Sequence, residues 1–140
     1  LTLPPSVKLV CADFHKLPFC DGVFDLVVSA FVLRSVEDLH AFLGEIHRVL
    51  TRNGKAALLC LTRPKNLLIK CVYLRYLWFY VPVMGRLISG HAEAYRFLSE
   101  SIGTFQDSKR TADMMKHAGF SRVERHEFSL GIATLIMGQK

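Results

Sequence analysis

A chain of 140 residues is long enough for one domain with a sizeable core, and its 51% hydrophobic content argues against disorder over most of its length. Eighteen Lys/Arg against twelve Asp/Glu give a net charge of +6, but the basic residues run from Lys8 to Lys140 without a cluster, so nothing beyond net charge favours nucleic-acid binding. Cys11, Cys20, Cys60 and Cys71 form no CxxC pair and no His–Cys spacing suited to zinc, which leaves free thiols in a reducing compartment and no expected metal.

The opening residues LTLPPSVK lack the charged start and apolar stretch of a signal peptide. Ser6 to Ala12 follows the Pro4-Pro5 breaker as a short β-rich run ending at Asp13. Asp21-Gly22 marks a turn. After it, Phe24 to Ala30 is almost continuously apolar beyond Asp25, the pattern of a parallel strand covered on both faces. Two of the cysteines, Cys11 and Cys60, fall inside runs read as buried strands.

Glu37 to Leu50 is the clearest helix. Leu39, Phe42, Leu43, Ile46, Val49 and Leu50 repeat at three and four, with Glu37, Asp38, Glu45 and Arg48 left outward. Ser35 with Asp38 three positions on suggests a capping box, and Asn53-Gly54 follows the end. Lys55 to Leu61 is a second buried-type strand stopped before Pro64. Strand, helix, strand makes a βαβ unit with parallel strands.

Asn66 to Ile88 is aromatic and apolar, but Lys70, Arg75, Pro82 and Arg86 break it well short of the ~20 residues that span a bilayer. It suits a buried helix pair, or a lid meeting a lipid-like molecule or a membrane interface. Ala92 to Ile102 reads as helical, and Ser108 caps a further helix through Ala118 with Gly119 at its left-handed end. Arg122 to Phe128 has the charged character of an edge strand, and Leu130 to Met137 is a buried strand beside it. The expected order is β-β-α-β-α-α-α-β-β, an α/β domain closing with an antiparallel pair.

Ala12-Asp13, Leu17-Pro18-Phe19, Asp21, Phe24-Asp25, Leu33-Arg34, Arg48-Val49-Leu50, Gly54, Tyr95-Arg96-Phe97-Leu98, Glu100-Ser101-Ile102 and Ala118-Gly119-Phe120 occur in the order found in one family. The chain resembles the second half of a class I S-adenosylmethionine-dependent methyltransferase, and more narrowly the ubiquinone/menaquinone biosynthesis C-methyltransferases called UbiE-like. The LPF and FD block alone is common to many methyltransferases, and the LR and YRFLxESI blocks narrow it.

The resemblance implies a partial Rossmann-like sheet, doubly wound, ending in an antiparallel strand pair and with its first two strands missing. Residues 1–140 would be the C-terminal part of one methyltransferase domain, with 66–103 as a helical lid or insertion. It implies S-adenosyl-L-methionine as cofactor, with Asp13 accepting from the adenine amine, Phe14 against the ring and Ala30 offering backbone contact where relatives place a serine. Arg34 would face the acceptor, a polyprenylated phenol or quinol methylated at a ring carbon, and stabilise its phenolate. Tyr95 and Arg96 would orient that substrate, and His91 is a candidate base. Val32 and Ser35 replace a family Gly and Asn, Cys20 replaces a Pro, and Cys60 stands where an acid is usual; these departures bear on the acceptor rather than on the cofactor class.

The family's glycine-rich turn and its ribose-binding acid have no counterpart here. Those missing strands lie between the one ending at Asp13 and Phe24 to Ala30, so the latter is expected to show an apolar edge. The chain reads as a fragment that binds cofactor poorly alone. The alternatives are a methyltransferase of another small-molecule acceptor, and a non-catalytic remnant serving as a binding or scaffold subunit. Further expectations are a lipophilic substrate, no nucleic acid, peripheral membrane contact, a homo-oligomer or biosynthetic complex, and a cytoplasmic location, on the mitochondrial matrix side if eukaryotic.

Overall fold

The computed structural model describes residues 6–62, 71, 75, 76, 79 and 108–140. The βαβ unit is there: β1 (Phe24–Ala30), α1 (Leu39–Val49) and β2 (Leu50–Leu61), with β1 and β2 parallel. Helix α2 (Ser108–His117) leads into β3 (Ser121–Phe128) and β4 (Ala133–Gln139). The sheet order is β1-β2-β4-β3, with β4 antiparallel to both neighbours. The closing antiparallel pair and the charged edge strand are therefore as the pattern predicts.

The 3.6-residue period of α1 sets the core. Phe42, Leu43, Ile46 and Val49 are buried, and the first three share one core cluster with Leu58 of β2, Ile136 of β4 and Met115 of α2. Ala56, Leu58 and Cys60 alternate inward along β2. At the end of α2, Gly119 has φ +98°, its N–H donates to Lys116 O at 3.0 Å and Phe120 N–H donates to Met115 O at 3.1 Å. This is the Schellman closure, with Phe120 and Met115 both buried. Lys140 Nζ donates to the Arg48 and Leu50 carbonyls at the C-terminal end of α1.

Several expectations need correction. No strand forms over Ser6 to Ala12: those residues are exposed, and among the described residues no ladder partner stands beside them. Cys11 is accordingly exposed rather than buried. The cap of α1 is Asp38, whose Oδ1 accepts from Ala41 N–H at 3.0 Å, while Ser35 closes a 3-10 turn over Leu33–Ser35. Asn53-Gly54 lies within β2, where the register slips between Phe24↔Leu50 and Leu26↔Lys55 and Asn53 takes φ +66°. Leu130 (φ 60°) belongs to a turn, so β4 starts at Ala133.

Among the described residues, one face of β1 is uncovered and the strand lies at the sheet edge, in keeping with the expected apolar edge. Leu26 and Val28 are 58% and 65% exposed, and β1 is the edge of the sheet. Cover on both faces, expected from its apolar run, is not seen among the described residues. Asn66 to Ile88 and Ala92 to Ile102 lie almost wholly outside them; Cys71, Arg75, Tyr76 and Phe79 are described, and all four are exposed.

Candidate functional site

Parallel strands β1 and β2 present their carboxyl ends together, the edge at which open α/β sheets receive ligands. Ala30, the last residue of β1, pairs with Leu59 and is exposed. Phe31 then leaves the sheet with φ +60°, its N–H still donating to Leu59 O at 2.8 Å. A phenylalanine holds that left-handed conformation only where its surroundings fix it, and such positions gather at functional sites. The 3-10 turn Leu33–Ser35 follows, anchored by buried Leu33. Arg34 Nε donates to Phe31 O at 3.3 Å, and the guanidinium shares a shallow hollow with Phe31, Leu33, Cys60 and Leu61. Arg34 thus stands at the lip of this edge and also stitches its own turn.

Cys60 lines the floor of that hollow. Its thiol donates to Thr134 O at 3.4 Å, and burial pushes its pKa up to about 11, so it is protonated at neutral pH. Beside it, Thr62 Oγ1 donates to Gly131 O and meets Thr134 Oγ1, both at 2.8 Å, tying β2 to the turn before β4.

Asp13 stands on a tight turn closed by Lys16 N–H donating to Asp13 O at 3.1 Å. Its Oδ1 accepts from His15 N–H at 2.8 Å and lies 3.0 Å from His15 Nδ1. These contacts, the backbone bond foremost, hold the carboxyl below the ordinary aspartate range, so it is an acceptor at neutral pH. Phe14 is 45% exposed, and its ring meets Phe42 of α1 edge-to-face at 6.1 Å between centroids. Asp13 is thus an exposed carboxylate acceptor next to an aromatic surface. Tyr95, Arg96 and His91 lie outside the described residues. Among the described residues no group of His, Cys, Asp and Glu is arranged to hold a metal.

The feature that sequence reasoning missed is on α1. Glu45 and Arg48 are not simply outward. Arg48 donates to both Glu45 oxygens, at 2.9 Å and 2.7 Å, to Phe19 O at 2.8 Å, to Leu17 O at 3.1 Å and to Asp21 Oδ1. Glu45 Oε1 accepts from Leu17 N–H at 2.7 Å, and its side chain is only 13% exposed. Arg48 O also accepts from Gly22 N–H. The signal available in the sequence was the i, i+3 spacing of an acid and an arginine on a helix followed by a strand, which is too common to single out.

Comparison with known proteins gives a consistent picture. The model of the ubiE/COQ5 methyltransferase family matches residues 3–140. The ubiquinone/menaquinone biosynthesis C-methyltransferase UbiE of Pseudomonas fluorescens is 40% identical over 135 residues, covering 96% of this chain and 53% of that protein. The protein of the same name from Stutzerimonas stutzeri is 39% identical with the same coverage. The chain thus spans about half the length of the curated relatives it matches. Among solved structures, a SAM-dependent methyltransferase from Thermotoga maritima superposes with TM-score 0.66 at 18% identity, covering 96% of this chain and 64% of that one. Human N-acetylserotonin methyltransferase in complex with SAM gives TM-score 0.63 at 16% identity, over 99% of this chain and 35% of that one. At these identities the structural matches establish the fold, a partial Rossmann-like methyltransferase sheet.

Proposed function

The chain belongs to the ubiE/COQ5 methyltransferase family, and from that premise we propose that its 140 residues form the C-terminal portion of an S-adenosylmethionine-dependent C-methyltransferase of ubiquinone or menaquinone biosynthesis. The observation that carries this reading is the 40% identity, over 135 residues, with a C-methyltransferase of that pathway. Residues 1–140 would be part of one domain, with 66–103 as its lid. Tyr95 and Arg96 in that segment would orient a lipophilic quinol.

Bound S-adenosylmethionine supplies an electrophilic methyl group on a sulfonium centre. Asp13 would accept from the adenine amine, Phe14 would lie against the ring, and the backbone at Ala30 would line the same edge. Arg34 acts on the acceptor. A ring carbon is a poor nucleophile until the neighbouring hydroxyl loses its proton, and a fixed guanidinium stabilises the resulting phenolate. The Phe31 carbonyl bond limits the freedom of Arg34, which reduces the reorganisation needed when that charge develops. A nearby base or water takes the proton. Peripheral membrane contact follows from the substrate class. Among the described residues no helix is long and apolar enough to cross a membrane.

The test joins this chain in frame to the N-terminal half of the Pseudomonas fluorescens relative. Methyl-labelled cofactor and a demethylated polyprenyl quinol should yield labelled quinol with the joined protein. The 140-residue chain should bind nucleoside only weakly and transfer no methyl. A folded joined protein that labels a different acceptor would defeat the quinol assignment. One that labels none would favour a binding or scaffold role.

A further inference from the structure

We infer that Glu45 and Arg48 are positioning residues for the nucleoside end of the site, acting through the loop that carries Asp13 and Phe14. The inference rests on the cofactor reading above. Helix α1 is the rigid body: its Phe42, Leu43, Ile46 and Val49 are buried. The loop from Asp13 to Gly22 is the opposite case. It has almost no regular structure, and Asp13, Phe14, Lys16, Pro18, Cys20, Asp21 and Gly22 are all exposed. A loop of that kind keeps one shape only if its backbone groups find fixed partners.

Those partners are two side chains one helical turn apart. Glu45 takes the Leu17 N–H, and Arg48 binds the Leu17 and Phe19 carbonyls. The planar guanidinium matters because it serves Glu45 in bidentate fashion while reaching two carbonyls and Asp21 from its other edges. Two ring contacts secure the flanks, Phe14 on Phe42 at 6.1 Å and Phe19 on Phe24 at 4.9 Å. Neither by itself fixes the loop backbone between them. The pair therefore sets where the turn bearing Asp13 sits relative to α1 and the end of β1. A carboxylate displaced by about an ångström no longer meets a ligand amine at hydrogen-bond distance.

The experiment uses the joined protein described above and two readouts, amide hydrogen exchange at Leu17 and NMR titration of the Phe14 and His15 amides with S-adenosylhomocysteine. Arg48→Ala should abolish protection at Leu17 and raise the dissociation constant at least ~10-fold. Arg48→Lys, which keeps the charge but not the fork, should fall between, and it covers the case in which the alanine variant does not fold. Ile46→Ala destabilises the same helix without touching the loop, and should leave the dissociation constant of its folded population unchanged. Loss of Leu17 protection in either Arg48 variant with unchanged affinity would overturn the inference, reducing the pair to a stability element. A rise in Kd for Ile46→Ala equal to that for the Arg48 variants would overturn it too. Absence of any ligand-dependent shift at Phe14 and His15 in the unsubstituted joined protein would defeat the cofactor reading itself, and this outcome appears before any substitution is made.

Discussion

The Glu45 carboxylate holds the backbone N–H of Leu17 at 2.7 Å across 28 residues of sequence, and the same oxygen is 2.7 Å from Arg48 Nη2. A helix side chain thus takes the place a neighbouring strand would fill for a loop that has none. The Arg48 bonds, chiefly, and the Leu17 N–H draw the Glu45 pKa below its usual 4.5, against the opposing pull of burial.

That shift sets a pH dependence. A carboxyl whose folded-state pKa is depressed contributes stability in full above its unfolded value, and loses it as pH falls through the depressed value. Leu17 should therefore be protected from exchange at neutral pH and lose protection on acidification below the ordinary glutamate range. Glu45→Gln keeps an acceptor for Leu17 but no titrating charge, so its protection should be lower at pH 7 and flat through that window. Asp13 and Asp38 are also depressed, and the difference between the two proteins isolates Glu45 from them. An identical acid profile in both would show that Glu45 is not the titrating group.

Much of this arrangement was legible in the residues. The period of α1, the apolar runs of β1 and β2, the charged edge of β3 and the glycine at the end of α2 each have one local cause and each marks a real element, although β2 begins at Leu50 rather than Lys55. What was not legible depends on partners far away in sequence. Ser6 to Ala12 has the composition of a strand, yet a strand exists only through its neighbour, and propensity cannot supply one. Helix periodicity assigns Glu45 and Arg48 to the solvent side because it counts apolar neighbours and cannot see a loop from thirty residues upstream folded across them. Asp38 rather than Ser35 is the cap because Leu33–Ser35 forms a 3-10 turn of its own and α1 begins only at Leu39.

The two threonines at the end of the sheet offer a cleaner energetic test. Thr62 and Thr134 are 4% and 1% exposed, and their hydroxyls are 2.8 Å apart. Thr62→Val should cost about 1–3 kcal/mol, because it strands the Thr134 hydroxyl and removes the bond to Gly131 O. Adding Thr134→Val should recover part of that loss, since an apolar pair of the same shape leaves no hydroxyl unpartnered. Denaturant midpoints of the four proteins in the cycle measure the coupling. Strict additivity would show that the hydroxyls do not interact.

Thiol chemistry should separate the four cysteines. Cys11, Cys20 and Cys71 are exposed, whereas Cys60 is 2% exposed with its pKa pushed up to about 11. Only the thiolate attacks a disulfide reagent, so Cys60 lacks both access and nucleophile at neutral pH. Titration of the folded chain should give three fast equivalents, with the fourth appearing only on unfolding. Four fast equivalents would mean that the hollow beneath Arg34 opens to solvent.

Arg34 carries the sharpest functional prediction. If its guanidinium stabilises a phenolate, it acts where charge develops rather than where the cofactor binds, and the two effects separate on substitution. In the joined protein, Arg34→Ala should lower kcat by roughly 10²–10³, as for the loss of one donor to a developing oxyanion, while the Kd for S-adenosylhomocysteine changes little. Arg34→Lys should recover part of the rate, since it restores charge without the planar donor pair. The Phe31 turn gives a built-in control. Arg34 also holds the Phe31 carbonyl at 3.3 Å, so a purely structural role would disturb the end of β1 and weaken nucleoside binding along with turnover. A parallel fall in both would assign Arg34 to the turn and leave the phenolate without a stabiliser among the residues described.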